Sequence, residues 1–340
     1  MPINEIFTLA IKKGASDIHL VSGKLPIFRI DGQLVQIKQG TQAVTDNVIF
    51  GLLNEKQKEI IQEMKELDAS YQLKDGARLR INLYYEKNKL CLAARIIAKQ
   101  IPTLEDIGAP ESFKDLLNYQ EGLILVTGPT GCGKSTTLAA MINYLNQNYS
   151  YHISTIEDPI EYLFENNKSF FTQRQVGRDT NSFNSALKHV FRQDPDVIMV
   201  GEMRDLETIA TAITLAETGH LVLSTLHTHT AGQTIDRIID VFPPYQQEQV
   251  KIQTSITLRG IISQRLLPKI GGGRLANWEV LLNNPAIANS IREGKIPQIQ
   301  NVVQTSSAEG MISAKRHLDQ LKKQELIDED VYNRTKAQYS

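Results

Sequence analysis

The sequence predicts an α/β protein in two parts: a small α+β region over residues 1–100 and a larger unit built on a parallel sheet. Three observations carry this expectation. Residues 128–135 read GPTGCGKS, set between an apolar run and a helical pattern. After residue 110 short apolar strands alternate with helices, the pattern of βαβ units. And a chain of 340 residues exceeds what one hydrophobic core usually serves.

In the first part, Ile3 to Lys13 reads as a short amphipathic helix that Gly14 stops. IHLVS, PIFRIDGQLVQI, ARLRINLYY and KLCLAARII read as strands, with Asp31-Gly32 as a hairpin turn. A helix-like stretch over residues 45–67 separates the two strand pairs. In ARLRINLYY, Arg78 and Arg80 share one face with Asn82 and Tyr84, while Leu79, Ile81 and Leu83 share the other. Residues 101–110 (IPTLEDIGAP) combine two prolines, a glycine and acidic residues, and read as a linker.

The second part spans residues 111–340, with strands expected at 123–127, 152–156, 197–200 and 221–226. Helical patterns fall at about 134–147, 182–192, 205–218 and 231–240. From residue 243 onward the chain reads as mostly helical, broken by Gly271-Gly272-Gly273.

Composition narrows the function. Hydrophobic residues make up 41% and charged residues 22%, as in an ordinary globular protein. Lysine plus arginine (37) nearly balances aspartate plus glutamate (38), which argues against a globally basic nucleic-acid binder. Cys91 and Cys132 cannot supply a disulfide framework or a four-thiolate zinc site, so a reduced setting and no zinc are expected. The N-terminal stretch has its lysines after the apolar residues, the wrong order for a secretory signal, and no run reaches the roughly 18 apolar residues of a membrane span. A cytoplasmic protein is expected, with any membrane connection made through a partner.

The chemistry centres on Gly128, Pro129, Thr130, Gly131, Cys132, Gly133, Lys134, Ser135 and Thr136. The glycines let consecutive amides point at an anion, and the helix that follows adds its positive end. Lys134 can then reach the β- and γ-phosphates of ATP, and Ser135 can ligate Mg²⁺. The predicted strands all end in polar groups: Thr127, Glu157-Asp158, Gly201-Glu202 and His227. Parallel sheets bind ligands at those carboxyl ends. DVIMVGE brings Glu202 to such an end as a metal-side carboxylate.

Three groups of residues admit two roles each. Asp158, Pro159 and Glu161 have the spacing of a helix-capping box, while one of these carboxylates could instead polarise the attacking water. His220 and His227 bracket the fourth strand as structural residues or as γ-phosphate sensors. Arg78, Arg80 and Arg95 form a solvated sheet face or act as arginine fingers.

These motifs together resemble the secretion-ATPase superfamily, and within it the type IV pilus retraction ATPases. GASDIHL, GPTGCGKSTTLAAM, TIEDPIEY, VGEMRDLETI, TGHLVLSTLHTHTA, TIDRIIDVFP and KIGGGR follow that family's order along nearly the whole chain. The resemblance implies a PAS-like N-terminal domain and a RecA-like ATPase domain with a helical C-terminal part. It implies a homohexamer that hydrolyses Mg-ATP to disassemble pilin filaments, working at the inner membrane through a pilus platform protein and touching pilin only indirectly. It makes Glu161 the catalytic glutamate, Glu202 the metal-side carboxylate, His220 and His227 the histidine-box residues, and Arg78, Arg80 and Arg95 nucleotide contacts. Domain closure around ATP would bring those arginines in.

The family's tetracysteine zinc element and extra N-terminal domain, usual in extension and type II secretion relatives, are not expected in this chain. Its retraction members carry AIRNLIRE where this chain has AIANSIRE, with Ala288 and Ser290 replacing Arg and Leu. That departure keeps an accessory paralogue or a low-hydrolysis regulatory subunit as alternatives. A nucleic-acid-dependent RecA-like motor is a further alternative, which the balanced charge disfavours.

Overall fold

The computed structural model describes residues 1–38, 42–74, 76–97 and 100–339. They divide into two compact units, one covering Met1–Gln100 and one from Ile101 onward. Among the described residues no helix is long and apolar enough to cross a membrane.

The first unit is an antiparallel sheet with helices. Helix α1 (Ile3–Lys12) leads into β1 (Ala15–Val21), β2 (Ile27–Ile30) and β3 (Gln33–Gln36). Helices α2 (Asp46–Phe50) and α3 (Glu55–Met64) follow, then β4 (Glu66–Gln72), β5 (Arg78–Glu86) and β6 (Lys89–Ile97). The strand order is β3-β2-β1-β6-β5-β4. Asp31 and Gly32 take positive φ (49° and 82°), as the hairpin turn between β2 and β3 requires. Residues 45–67, expected as one helical stretch, form two short helices. Asn54 caps the second in a capping box with Gln57, and the chain turns into β4 at Glu66. Helical and strand patterns run together there because each segment is too short for its period to show.

Leu79, Ile81 and Leu83 of β5 are buried with Phe7, Ile18, Leu20 and Phe28, so the expected apolar face of the sheet is its core face. Arg80 and Arg95 lie opposite each other on β5 and β6, and Asp17 of β1 lies opposite Arg95 on its other side. Arg95 Nε donates to Asp17 Oδ1 at 2.9 Å. Burial works to raise the Asp17 pKa, but hydrogen bonds from Arg95 and Ser16 and the charges of Arg95 and Arg29 outweigh it, so the carboxyl sits below its usual range.

The second unit opens with α4 (Ser112–Leu117), β7 (Gly122–Thr127), α5 (Lys134–Asn148), β8 (His152–Glu157) and β9 (Phe170–Gln175). It continues with α6 (Phe183–Val190), β10 (Val197–Val200), α7 (Leu206–Glu217), β11 (Leu221–Leu226), α8 (Ala231–Asp240) and α9 (Pro244–Thr257). Then come β12 (Leu258–Pro268), β13 (Arg274–Leu282), α10 (Pro285–Arg292), α11 (Ile296–Thr305), α12 (Ala314–Lys323) and α13 (Glu329–Lys336). The sheet order is β13-β12-β7-β11-β10-β8-β9. Every pair is parallel except β12–β13. The α6, α7 and α8 N-termini are capped by Ser182, Asp205 and Thr230.

Two expectations are corrected here. The mostly helical stretch after residue 243 is interrupted by strands that were not expected: β12 and β13 form a long hairpin whose turn carries Gly271, Gly272 and Gly273, all at positive φ. Both strands are buried along most of their length, with polar Ser263, Gln264, Asn277 and Glu279 buried among the apolar residues, so neither shows the alternation that marks a half-buried strand. Gly260 marks the register shift where β12 joins β7, since any side chain there would strike Leu116 and the Leu281 carbonyl. Strand β9, at the far edge of the sheet, was not expected at all.

Residues 101–110 belong with the second unit. Leu104 is buried with Phe113 and Trp278, and the Trp278 indole N–H donates to the Gly108 carbonyl at 3.0 Å. Trp278→Phe removes that donor and leaves the carbonyl unpaired, at a cost of about 1–3 kcal/mol. The urea midpoint of the full chain is expected to fall accordingly in equilibrium unfolding.

Candidate nucleotide site

Because β7, β11, β10 and β8 run parallel, their carboxyl ends share one edge of the sheet, and the phosphate loop leaves β7 at that edge. The loop curls through Gly128, Gly131 and Gly133, with φ of 145°, 78° and 90°. Only glycine adopts the first without strain, and at Gly128 a side chain would also collide with the Gln264 carbonyl and the Cys132 sulfur. Gly133 is the N-cap of α5, so Lys134, Ser135 and Thr136 form its first turn with their amides free for an anion.

Lys134 is 8% exposed. Its Nζ donates to the carbonyls of Gly128 (2.8 Å) and Pro129 (3.2 Å) and reaches His227 Nδ1 at 3.4 Å. Desolvation pushes its pKa down, and the negative charges of Glu202 and Glu161 act against that. Across the imidazole, His227 Nε2 lies 3.4 Å from Glu202 Oε2. Lysine only donates and a carboxylate only accepts, so a ring protonated at Nε2 satisfies both neighbours. The other Glu202 oxygen is paired with Arg204 at 2.6 Å. Lys134, His227, Glu202 and Arg204 thus form one continuous polar chain along the strand ends.

The structure separates the two histidines. His220 precedes β11 at the opposite edge of the sheet, beside Gly122, and its Nδ1 bonds the Leu215 carbonyl. Six strand residues, about 20 Å, lie between it and His227. The capping-box reading of residues 158–161 is also corrected, since no helix begins there. Glu161 is exposed, and its backbone N–H points to Glu157 Oε2 at 3.4 Å. Arg78, Arg80 and Arg95 lie in the first unit, on the sheet face described above.

Several residues at the site had no motif to announce them. Buried Gln264 of β12 donates to the Cys132 carbonyl (2.6 Å) and accepts the Thr137 hydroxyl (2.7 Å), bracing the loop and the helix after it. Ser263 and Thr127 meet at 2.9 Å. Polar residues inside an apolar run were the only trace of this in the sequence. Cys132 is buried, which raises its thiol pKa and keeps it neutral. Glu157, at the end of β8, is 7% exposed and accepts from Thr155 Oγ1 (2.7 Å) and Gln173 Nε2 (3.2 Å). Burial nevertheless dominates, raising its pKa from 4.5 to about 7. No group of three or more potential metal-ligating His, Cys, Asp or Glu side chains occurs among the described residues. Mg²⁺ needs only one or two protein oxygens beside phosphate and water, and the hard oxygens of Ser135 and Glu202 suit it.

The sequence pattern of the family described as "Type II/IV secretion system protein" matches residues 1–330. The chain is 45% identical over 313 residues to the type IV pilus retractation ATPase PilT of Pseudomonas aeruginosa, covering 92% of this chain and 91% of that one. It is 45% identical over 305 residues to a twitching motility protein of Neisseria gonorrhoeae, covering 89% and 82%. The crystal structure of a pilus retraction motor PilT with bound ADP superposes with a TM-score of 0.89 at 47% identity, covering 98% of this chain and 96% of that one.

Two outcomes follow from the site geometry. Gln264→Leu strands the Cys132 carbonyl and the Thr137 hydroxyl, and fluorescent-nucleotide titration is expected to show affinity reduced roughly tenfold. Glu157 has a folded pKa above its unfolded one. Its stabilising contribution is therefore complete below about pH 4.5 and lost as pH rises through about 7. Urea unfolding of Glu157→Gln at pH 5 and pH 8 is expected to show a stability difference between the two pH values smaller than that of the unmutated chain by on the order of 3 kcal/mol.

Proposed function

Since the chain belongs to the type II/IV secretion system protein family and is an ATPase, we propose that it is a motor that uses Mg-ATP hydrolysis to retract type IV pili. The observation that carries this reading is the shared edge of the sheet, where Lys134 bonds the phosphate-loop carbonyls and reaches His227, and His227 in turn reaches Glu202. The names of the relatives, a pilus retractation ATPase and a twitching motility protein, supply the biological setting.

In this proposal the loop amides and Lys134 hold the β- and γ-phosphates. Lys134 exchanges the loop carbonyls for phosphate oxygens, which compensate its burial better than neutral carbonyls do. Ser135 and Glu202 would hold Mg²⁺, which would supply charge neutralisation at the same phosphates. Glu161 accepts the proton of the attacking water as it adds to the γ-phosphorus, and ADP leaves on the other side. His227 reports the phosphate to β11 and α8, which flank it in the chain.

The first unit is read as PAS-like and the second as RecA-like, assembled as a homohexamer. Arg78, Arg80 and Arg95 are read as nucleotide contacts made on closure, and His220 as a histidine-box residue acting away from the phosphates. A pilus platform protein would tether the ring at the cytoplasmic side of the inner membrane, with pilin engaged indirectly.

The accessory-paralogue reading has one observation in its favour. Ser290 of α10 is buried and its hydroxyl is turned back onto the Ala286 carbonyl at 2.9 Å, where retraction ATPases have leucine. The two readings part on phenotype. Deleting the gene is expected to give hyperpiliated cells without twitching, whereas normal retraction in the deletion strain would favour the accessory role. In purified protein, Lys134→Ala and Glu161→Ala are each expected to lower MgATP turnover by at least about 100-fold. Full turnover in Glu161→Ala would remove the base from that residue.

A further inference from the structure

The segment that carries Glu161 joins β8 to β9 without helix or strand of its own, yet side chains hold it from both sides. On one side stands Gln173 of β9, which uses each of its amide groups. Its Oε1 accepts the Phe164 N–H at 2.9 Å, and its Nε2 donates to the Tyr162 carbonyl at 3.0 Å and to Glu157 Oε1 at 3.2 Å. Glu157 in turn accepts the Thr155 hydroxyl and the Glu161 N–H. On the other side the Tyr162 hydroxyl lies 3.0 Å from Thr136 Oγ1, in the first turn of α5.

Each residue of an irregular loop gains backbone entropy when released, so a loop with no ladder of its own needs such anchors to keep one geometry. Gln173 fastens the segment at residues 157, 162 and 164, before and after Glu161. Its neighbour Glu157 fastens Glu161 itself through the backbone.

We propose that Gln173 and Glu157 are positioning residues of the hydrolytic site, forming a clamp that fixes the direction in which the Glu161 carboxylate faces the nucleotide. The proposal deepens the reading of Glu161 as the base and rests on it. The clamp touches neither the phosphate-loop amides nor Lys134, so it governs the chemical step and not nucleotide capture. A misplacement of about 1 Å at a reacting group lowers rate by on the order of 100-fold, which sets the scale of the effect.

The test is a double-mutant cycle in the full chain, following MgATP turnover across a range of ATP concentrations. Gln173→Leu is expected to lower kcat roughly 10- to 100-fold while KM for ATP stays within about twofold. In a Glu161→Ala background, where the positioned group is gone, the same substitution is expected to change the residual rate of radiolabelled phosphate release by less than about twofold. Gln173→Glu keeps the volume and the acceptor for Phe164 but sets a carboxylate against Glu157, and is expected to lose kcat at least as much. It decides the matter by the same cycle should Gln173→Leu not fold. Turnover near that of the unmutated chain in the Gln173 variants, with Glu161→Ala inactive, overturns the clamp alone. An equal fractional loss in both backgrounds also overturns it, because a general structural defect would act that way. Full turnover in Glu161→Ala overturns the base reading, and the clamp with it.

Discussion

The phosphate loop lies so close to strand β12 that Gly128 has no room for a side chain, and this approach organises the rest of the site. Gln264 can brace the loop at Cys132 and the helix at Thr137 only because the backbone of residue 128 passes against its own carbonyl. With the loop held from β12, the first turn of α5 presents its unpaired amides outward, and Lys134 is fixed at the head of the helix. A buried lysine needs partners, and it takes them from the loop carbonyls and from His227.

That need for compensation links the strand ends. His227 can accept from Lys134 on one nitrogen and donate to Glu202 on the other, and Arg204 balances the remaining carboxylate oxygen. A change of partner at Lys134 therefore alters what His227 and Glu202 face. The parallel arrangement of β7, β11 and β10 makes this possible, since it brings residues far apart in the chain to one edge. The same geometry puts His220 at the other edge, where hydrogen bonds to the end of α7 occupy it.

Glu157 and Glu161 divide two demands that one carboxylate could not meet. Glu157 is buried among three hydrogen-bond donors, and desolvation holds its pKa near neutrality. Glu161 stays exposed, where it can meet water. The buried residue anchors the segment and leaves the exposed one facing solvent. Gln173 makes the division stable by tying the segment to the edge strand β9.

Local sequence was enough for the phosphate loop, whose glycines and lysine act through backbone conformation and reach only a few residues away. It was enough as well for the four central strands with their polar ends and for the turn at Asp31-Gly32, because period and turn chemistry are short-range properties. The hairpin β12–β13, the edge strands β4 and β9, the brace at Gln264, and the clamp at Gln173 and Glu157 were decided only in the folded chain. Gln264 stands 127 residues from Thr137, and Gln173 stands 16 from Glu157. Neither glutamine differs in sequence from one that faces solvent. What gives each its role is a partner supplied by another strand, and strand pairing is settled by which apolar faces can be buried together rather than by any nearby residue.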